Sequence, residues 1–178
     1  LEYARDVSAL AREKGIKTVA VTAGFINPVA RVDFFDFIDA ANVDLKAFSD
    51  SFYKRICGGY LDSVLETLIY LKKETNVGFE ITTLLIPGEN DSDLELHAMT
   101  EWIINNLGRD IPIHFTAFHP DFKMNDLPRT PDTSLIEARK IAKGNGLNYV
   151  YTGNMYNHET ASTYCESCKN VLIERDWY

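Results

Sequence analysis

Cysteine is scarce: Cys57, Cys165 and Cys168 are the only three in 178 residues. They are too few and too unevenly placed for the disulfide framework of a small secreted domain. Positive charge is also in deficit. Lys and Arg total 18 against 26 Asp and Glu, a net charge of −8, the wrong sign for a face that grips a phosphate backbone, so no nucleic-acid partner is expected. No apolar run approaches the ~20 residues of a membrane span, and residues 1–6 (Leu-Glu-Tyr-Ala-Arg-Asp) lack the apolar core of a secretory signal. No membrane association is expected, and the expected setting is cytoplasmic. An initiator Met is missing too. Tyr3, Val7, Leu10 and Ala11 already recur at helical spacing, so the sequence reads as a piece of a longer chain, entered inside an element.

What is present is the composition of a folding chain. Hydrophobic residues make up 46% and charged residues 25%, which excludes disordered and low-complexity classes. At about 150 residues per domain the length corresponds to one domain. A first helix should stop near Gly15 and lead into a strand over 18–22. Asn27 and Pro28 have the chemistry of an N-cap and first helical position. A strand over 42–48 and a helix carrying Leu61, Val64, Leu65, Leu68 and Leu71 follow. The β-branched and aromatic run 77–86 is a strand closed by Pro87 and Gly88. Ser92 and Glu95 form a capping box for a helix that ends at Gly108. A strand over 113–117, a helix after Thr130 and Pro131, and a strand over 147–151 complete the series. The fold class is therefore α/β with parallel strands, either a (β/α) barrel or an open doubly wound sheet. Residues 1–152 carry this alternation. Residues 153–178 form an irregular tail with a Cys-x-x-Cys knuckle.

In either architecture ligands bind at the carboxyl ends of the strands. Thr22, Asp44, Lys46 and His119 all lie there. Asp44 and Lys46 are two apart, so a strand places opposite charges on one side within an apolar segment, where burial is costly unless they serve each other or a ligand. Gly88, Asn90 and Asp91 fit turn and cap geometry as well as ligand binding. Cys165 and Cys168 have the spacing of a metal knuckle, half of a four-coordinate zinc site; a redox pair and two plain surface thiols are the alternatives. Cys57 is expected to be a small packing residue.

Several of these stretches resemble one family. The runs 19–25 (Val-Ala-Val-Thr-Ala-Gly-Phe), 43–46 (Val-Asp-Leu-Lys), 85–91 (Leu-Ile-Pro-Gly-Glu-Asn-Asp) and 118–120 (Phe-His-Pro) resemble the later half of radical S-adenosylmethionine (SAM) enzymes of the pyruvate formate-lyase activating enzyme type. The runs 114–120 (His-Phe-Thr-Ala-Phe-His-Pro), 146–154 (Gly-Leu-Asn-Tyr-Val-Tyr-Thr-Gly-Asn) and 163–168 (Thr-Tyr-Cys-Glu-Ser-Cys) look like the branch called the AmmeMemoRadiSam system radical SAM enzyme.

The resemblance implies a partial (β/α) barrel, TIM-like and truncated at the N-terminus. It implies a 4Fe-4S cluster on a Cys-x-x-x-Cys-x-x-Cys loop that this sequence lacks, and hence a C-terminal fragment without activity of its own. Thr22, Asp44 and Lys46 would border the methionyl and ribose groups of SAM, and His119 would lie near the nucleoside. Cys165 and Cys168 would hold zinc or iron together with cysteines outside this sequence. SAM is the implied small-molecule partner, with a protein substrate as a candidate. In the intact family, one electron from the cluster cleaves SAM to methionine and a 5′-deoxyadenosyl radical that abstracts hydrogen. Two other classes remain open: a Schiff-base aldolase using Lys46, and a non-catalytic metal-knuckle binding domain.

Overall fold

The computed structural model describes residues 1–175, so the last three residues of the expected tail lie outside the described residues. The chain runs α1 (Glu2–Glu13), β1 (Val19–Thr22), α2 (Pro28–Phe35), β2 (Ala40–Asp44), a short α3 (Asp50–Phe52) that passes into a π-helical turn (Tyr53–Cys57), α4 (Leu61–Glu74), β3 (Gly78–Leu85), α5 (Asp93–Leu107), β4 (Ile113–Ala117), α6 (Asp132–Asn145) and β5 (Val150–Gly153). The tail adds α7 (His158–Ala161) and the strands β6 (Thr163–Tyr164) and β7 (Val171–Ile173), a short helix and a hairpin where no period was visible.

The starts and stops follow local chemistry. Asn27 accepts from Val29 N at 3.0 Å ahead of Pro28, and Ser92 accepts from Glu95 N at 3.4 Å. Gly15 follows α1 with φ +70 and Gly146 closes α6 with φ +110, conformations that glycine adopts without a Cβ clash.

β1 to β5 form one sheet in the order β1-β2-β3-β4-β5, and every pair is parallel. A doubly wound sheet reverses its strand order at a switch point. Consecutive order without reversal, with crossovers of one hand, puts the helices on one face and curls the sheet as a barrel wall. This settles the choice that periodicity left open in favour of a partial (β/α) barrel.

β1 and β3 differ from expectation by a residue at their ends, and β2 and β5 by more. β2 begins at Ala40, directly after Ala40 N bonds Thr18 O, and leaves the ladder after Asp44 because Lys46 N donates to the Tyr53 hydroxyl at 3.0 Å. β5 begins at Val150 because Leu147 N still bonds Ala142 O at the exit of α6.

The two faces of the sheet have opposite character. Val43, Leu45, Ile81, Leu85, Ile113, Phe115 and Ala117 are buried together with Val64, Leu68 and Leu71 of α4, Met99 and Ile103 of α5, and Leu135 and Ala138 of α6. Burying each such side chain stabilises the fold by roughly 1.5–3 kcal/mol. The alternate residues Asn42, Asp44, Glu80, Thr82, His114 and Thr116 are half-buried and polar, and they line the face away from the helices. Among the described residues no helix is long and apolar enough to cross a membrane.

Candidate active site

The carboxyl rim of the sheet is tied down strand by strand. Thr67 Oγ1 donates to Gly24 O at 2.7 Å and Thr83 Oγ1 to Leu45 O at 2.8 Å. Thr130 Oγ1 donates to Leu85 O at 2.5 Å, and Asn154 Nδ2 to Ala117 O at 3.1 Å. Asn90, 1% exposed, donates to Lys46 O and Leu84 O at 2.7 and 2.9 Å and accepts from Ile86 N at 2.7 Å. Buried carbonyls that the sheet cannot satisfy are thus held by neutral side chains. A rim fixed in this way presents its outward-pointing groups in a defined geometry.

Lys46 is one of those groups. Its ammonium meets Asp44 Oδ2 at 2.5 Å and borders a cleft of about 450 Å³. The cleft lies between the β1 loop, with Ala23 and Phe25, and the turn that carries Phe52, Tyr53 and Ile56; Leu84 and Ile86 of the β3 end form its floor. Burial pushes the Tyr53 phenol well above its ordinary range, so it stays a neutral acceptor for Lys46 N. Cys57, expected as a small packing residue, is instead exposed at the cleft edge, where partial desolvation raises its thiol. Gly24 passes close behind: a Cβ there would lie 2.9 Å from Val43 Cγ1. A larger hollow of about 580 Å³, bordered by Lys17, Asp39 and Val77, opens at the amino ends of β1 to β3, the wrong end for barrel chemistry.

Of the four residues proposed to face the cofactor, the structure brings together Asp44 and Lys46. Thr22 pairs in register with Val43, which puts it on the helix side of the sheet, and its hydroxyl accepts from Gly24 N at 3.1 Å. His119 is exposed, two residues beyond β4, and does not line the cleft.

A second polar group on the inner face was not anticipated. Glu80 accepts from Asn42 Nδ2 at 2.8 Å and lies 3.0 Å from His114 Nε2. These bonds, His114 foremost, hold the Glu80 carboxyl down at about 2. The His114 ring stacks on Tyr151, centroids 4.9 Å apart, and Tyr151 is bonded to Thr163 at 2.9 Å and covered by the Arg175 guanidinium. Asp44, Thr82, His114 and Tyr151 share one rung. An acid between Phe79 and Ile81 in the most β-branched run was the available signal.

The arrangement is a barrel wall with a charged rim and a polar lining, the layout of a (β/α) enzyme rather than of a closed structural sheet. Comparison with known proteins gives the class a family. The radical SAM superfamily matches residues 1–99, and the chain belongs to it. Uncharacterized protein MJ0808 of Methanocaldococcus jannaschii is 41% identical over 98% of this chain and 51% of its own length. The GTP 3',8-cyclase of Lactiplantibacillus plantarum is 24% identical over 100% of this chain and 58% of its own length. The chain therefore spans about half the length of the curated relatives it matches. A solved domain of pyruvate-formate lyase-activating enzyme from Bacteroides vulgatus superposes with a TM-score of 0.74 at 16% identity, over 86% of this chain and 91% of that one. The fold is shared with that structure.

The superfamily implies SAM and a 4Fe-4S cluster. The residues present do not fit the cluster. Three or four thiolates are needed, whereas no group of three metal-ligating side chains occurs among the described residues. Lys46 at the border of the apolar cleft, ion-paired to Asp44, is chemically compatible with the opposite charges of a zwitterionic sulfonium cofactor.

Proposed function

We propose that this chain is the part of a radical SAM enzyme of the activating-enzyme type that cradles cofactor and substrate, and that residues outside this sequence hold the cluster. One observation carries the reading: the Asp44–Lys46 pair stands at the carboxyl rim of a consecutively ordered parallel wall, open to an apolar cleft of about 450 Å³. Lys46 offers an ammonium to the SAM carboxylate. Asp44 accepts from the SAM ammonium or a ribose hydroxyl, and charge-assisted bonds of this kind are the strong ones. The cleft walls around Phe25 and Phe52 take the apolar portion. Radical chemistry comes from the cluster when it is bound; this chain's residues orient the ligand and exclude water.

The inner lining is the place for the substrate. Asn42 and Glu80 orient the His114 ring, which presents a hydrogen-bonding nitrogen beside Thr82. A reducing, cytoplasmic setting suits the three free thiols and an oxygen-labile cluster.

The exposed edge supports the reading of a partial barrel. Val19 and Val21 of β1 are 66% and 79% exposed, and Tyr3, Val7 and Leu10 of α1 face solvent; a further βα unit would cover them. The aldolase reading is not favoured, since a Schiff-base lysine acts as a neutral amine among apolar groups, whereas Lys46 is ion-paired.

Anaerobic reconstitution with iron and sulfide provides the test. The chain alone is expected to show no broad visible cluster absorption and to release no 5′-deoxyadenosine, while the full-length protein does both. In the full-length protein Lys46→Ala is expected to weaken SAM binding by roughly tenfold, the equivalent of about 1.4 kcal/mol. Cluster assembly on this chain, or unchanged SAM affinity in Lys46→Ala, would refute the proposal.

A further inference from the structure

The face of the sheet away from the helices holds a histidine that SAM binding does not use. His114 stands on β4 between Thr82 of β3 and Tyr151 of β5, with Asp44 of β2 at the far end of the same rung. Neighbouring strands lie roughly 4.8 Å apart, so Asp44 and the ring are separated by about 10 Å, the span of one small molecule. The half-buried ring is held in place. Its Nε2 lies 3.0 Å from Glu80 Oε2, and its flat side stacks on Tyr151 with centroids 4.9 Å apart. Tyr151 is fixed in turn by its 2.9 Å bond to Thr163 of the tail hairpin, whose connecting turn carries Cys165 and Cys168.

The hydrogen bonds decide which ring nitrogen carries the proton. Asn42 Nδ2 donates to Glu80 Oε1 at 2.8 Å, and Glu80 is ionised at neutral pH, so its other oxygen can only accept. His114 Nε2 therefore donates, and in the neutral ring the lone pair is left on Nδ1. Among the described residues Nδ1 has no hydrogen-bond partner, and the buried side-chain atom without one is Arg31 Nε, so Nδ1 is reached by solvent. A carboxylate behind an imidazole fixes its tautomer and orientation and stabilises the imidazolium when it forms. The charged and titratable groups around the ring are Asp44, Lys46, Glu80, Tyr151 and Arg175. Lys46 is paired with Asp44, and Arg175 Nη1 donates to Ala161 O and Thr163 Oγ1 at 3.0 and 2.7 Å. With the Thr82 and Thr116 hydroxyls, this makes a lining rich in acceptors, whose cations are already engaged.

We infer that His114 Nδ1 is the proton acceptor for the substrate of this barrel, that Glu80 is its positioning residue, and that the substrate is a small molecule presenting a hydroxyl or ammonium, rather than a phosphate or carboxylate, to the lining. In that step the substrate X–H bond breaks, its electron pair stays on X, and an Nδ1–H bond forms. The imidazolium so made faces the Glu80 carboxylate, which keeps its charge and takes no proton. The inference rests on the proposed function for the statement that a substrate fills this face. Lys46→Ala reports on SAM binding, whereas the measurements below report on the ring, so either reading can fail without the other.

The test uses the chain labelled with nitrogen-15 at histidine, at about pH 8, where an ordinary imidazole is neutral. Long-range proton–nitrogen spectra are expected to show His114, assigned with His114→Gln, protonated at Nε2 and bare at Nδ1. In Glu80→Gln the amide oxygen stays with Asn42 and the amide NH2 turns to the ring, so the proton moves to Nδ1 and no lone pair faces the substrate. Diethyl pyrocarbonate, which acylates an imidazole lone pair, reads the same change chemically. Peptide mass spectrometry is expected to show His114 acylated in the parent and roughly tenfold more slowly in Glu80→Gln, with the rates at His97 and His119 unchanged as a check on the fold. Inorganic phosphate leaves the His114 rate as it was. A proton on Nδ1 in the parent, a parent His114 that resists acylation, a tautomer or rate that Glu80→Gln does not alter, or protection of His114 by phosphate would each overturn the inference.

Discussion

Glu80 loses its proton far below its ordinary value of 4.5 because His114 and Asn42 occupy its two oxygens. A carboxyl depressed in the folded state contributes stability that is complete above its unfolded pKa and disappears as the pH falls through the folded one. Here that window runs from about 4.5 down to about 2. Because Glu80 is 43% exposed, screening leaves only part of the contribution. Glu80→Gln is therefore expected to flatten the loss of stability between those pH values, read as the urea midpoint at each pH; an acid limb as steep as the parent's would assign the effect to other carboxyls. Gly24→Ala is the steric counterpart. Its Cβ would sit 2.9 Å from Val43 Cγ1 at φ +66, so the substitution should cost about 2–4 kcal/mol in a denaturation experiment. Asp44 and Lys46 were legible in the sequence because alternation alone puts them on one side. The Glu80–His114 pair was not, since it joins residues 34 apart through a register that no local spacing encodes. Register also explains Thr22: it aligns with Val43, not Asp44.

At the scale of elements, periodicity and caps located most helices and strands, and the differences come from bonds between elements. Ser92 caps α5 as its spacing implies, yet the Glu95 carboxylate is directed to Phe48 N at 2.6 Å, leaving the local box for the β2 loop. Burial raises that carboxyl above its ordinary value. The turn Tyr53–Cys57 had no signal beyond Gly58, which ends it at φ +67. Its π-helical winding is a form found disproportionately at functional sites. In the sequence Asn90 fitted turn and cap geometry as well as ligand binding; in the fold it joins the ends of β2 and β3. Asn90→Ala leaves Lys46 O, Leu84 O and Ile86 N without their side-chain partner. Stranding buried polar groups of this kind costs about 2–4 kcal/mol in total. The expected fall in melting temperature is roughly 4–16 °C for a chain of this size, with faster amide exchange at Lys46 and Ile86. A fall no larger than that of a surface Asn→Ala control would show that the rim is held by the threonines alone.

For the whole molecule, the contrast between its two ends decides behaviour in solution. α6 packs against β4 and β5, and the tail packs over Tyr151, whereas among the described residues β1 pairs only with β2. Val19 and Val21 are exposed on that edge strand, on the face away from the helices. An uncovered, apolar, parallel edge is a template for another strand. The net charge of −8 opposes association at long range, but it is screened beyond about 10 Å at 0.1 M salt and does not protect the edge itself. The chain is therefore expected to associate through β1 as concentration and salt rise, even with a chelator present to silence the tail cysteines. Val21→Lys puts a charge on the exposed side of the strand, the device natural edges use. Because Val21 packs little, stability should change by less than about 0.5 kcal/mol. Sedimentation velocity of parent and variant in chelator separates the possibilities. A monomeric variant beside an associating parent assigns the contact to β1, whereas equal association of both would place it on another surface and remove the exposed edge as support for a covering βα unit.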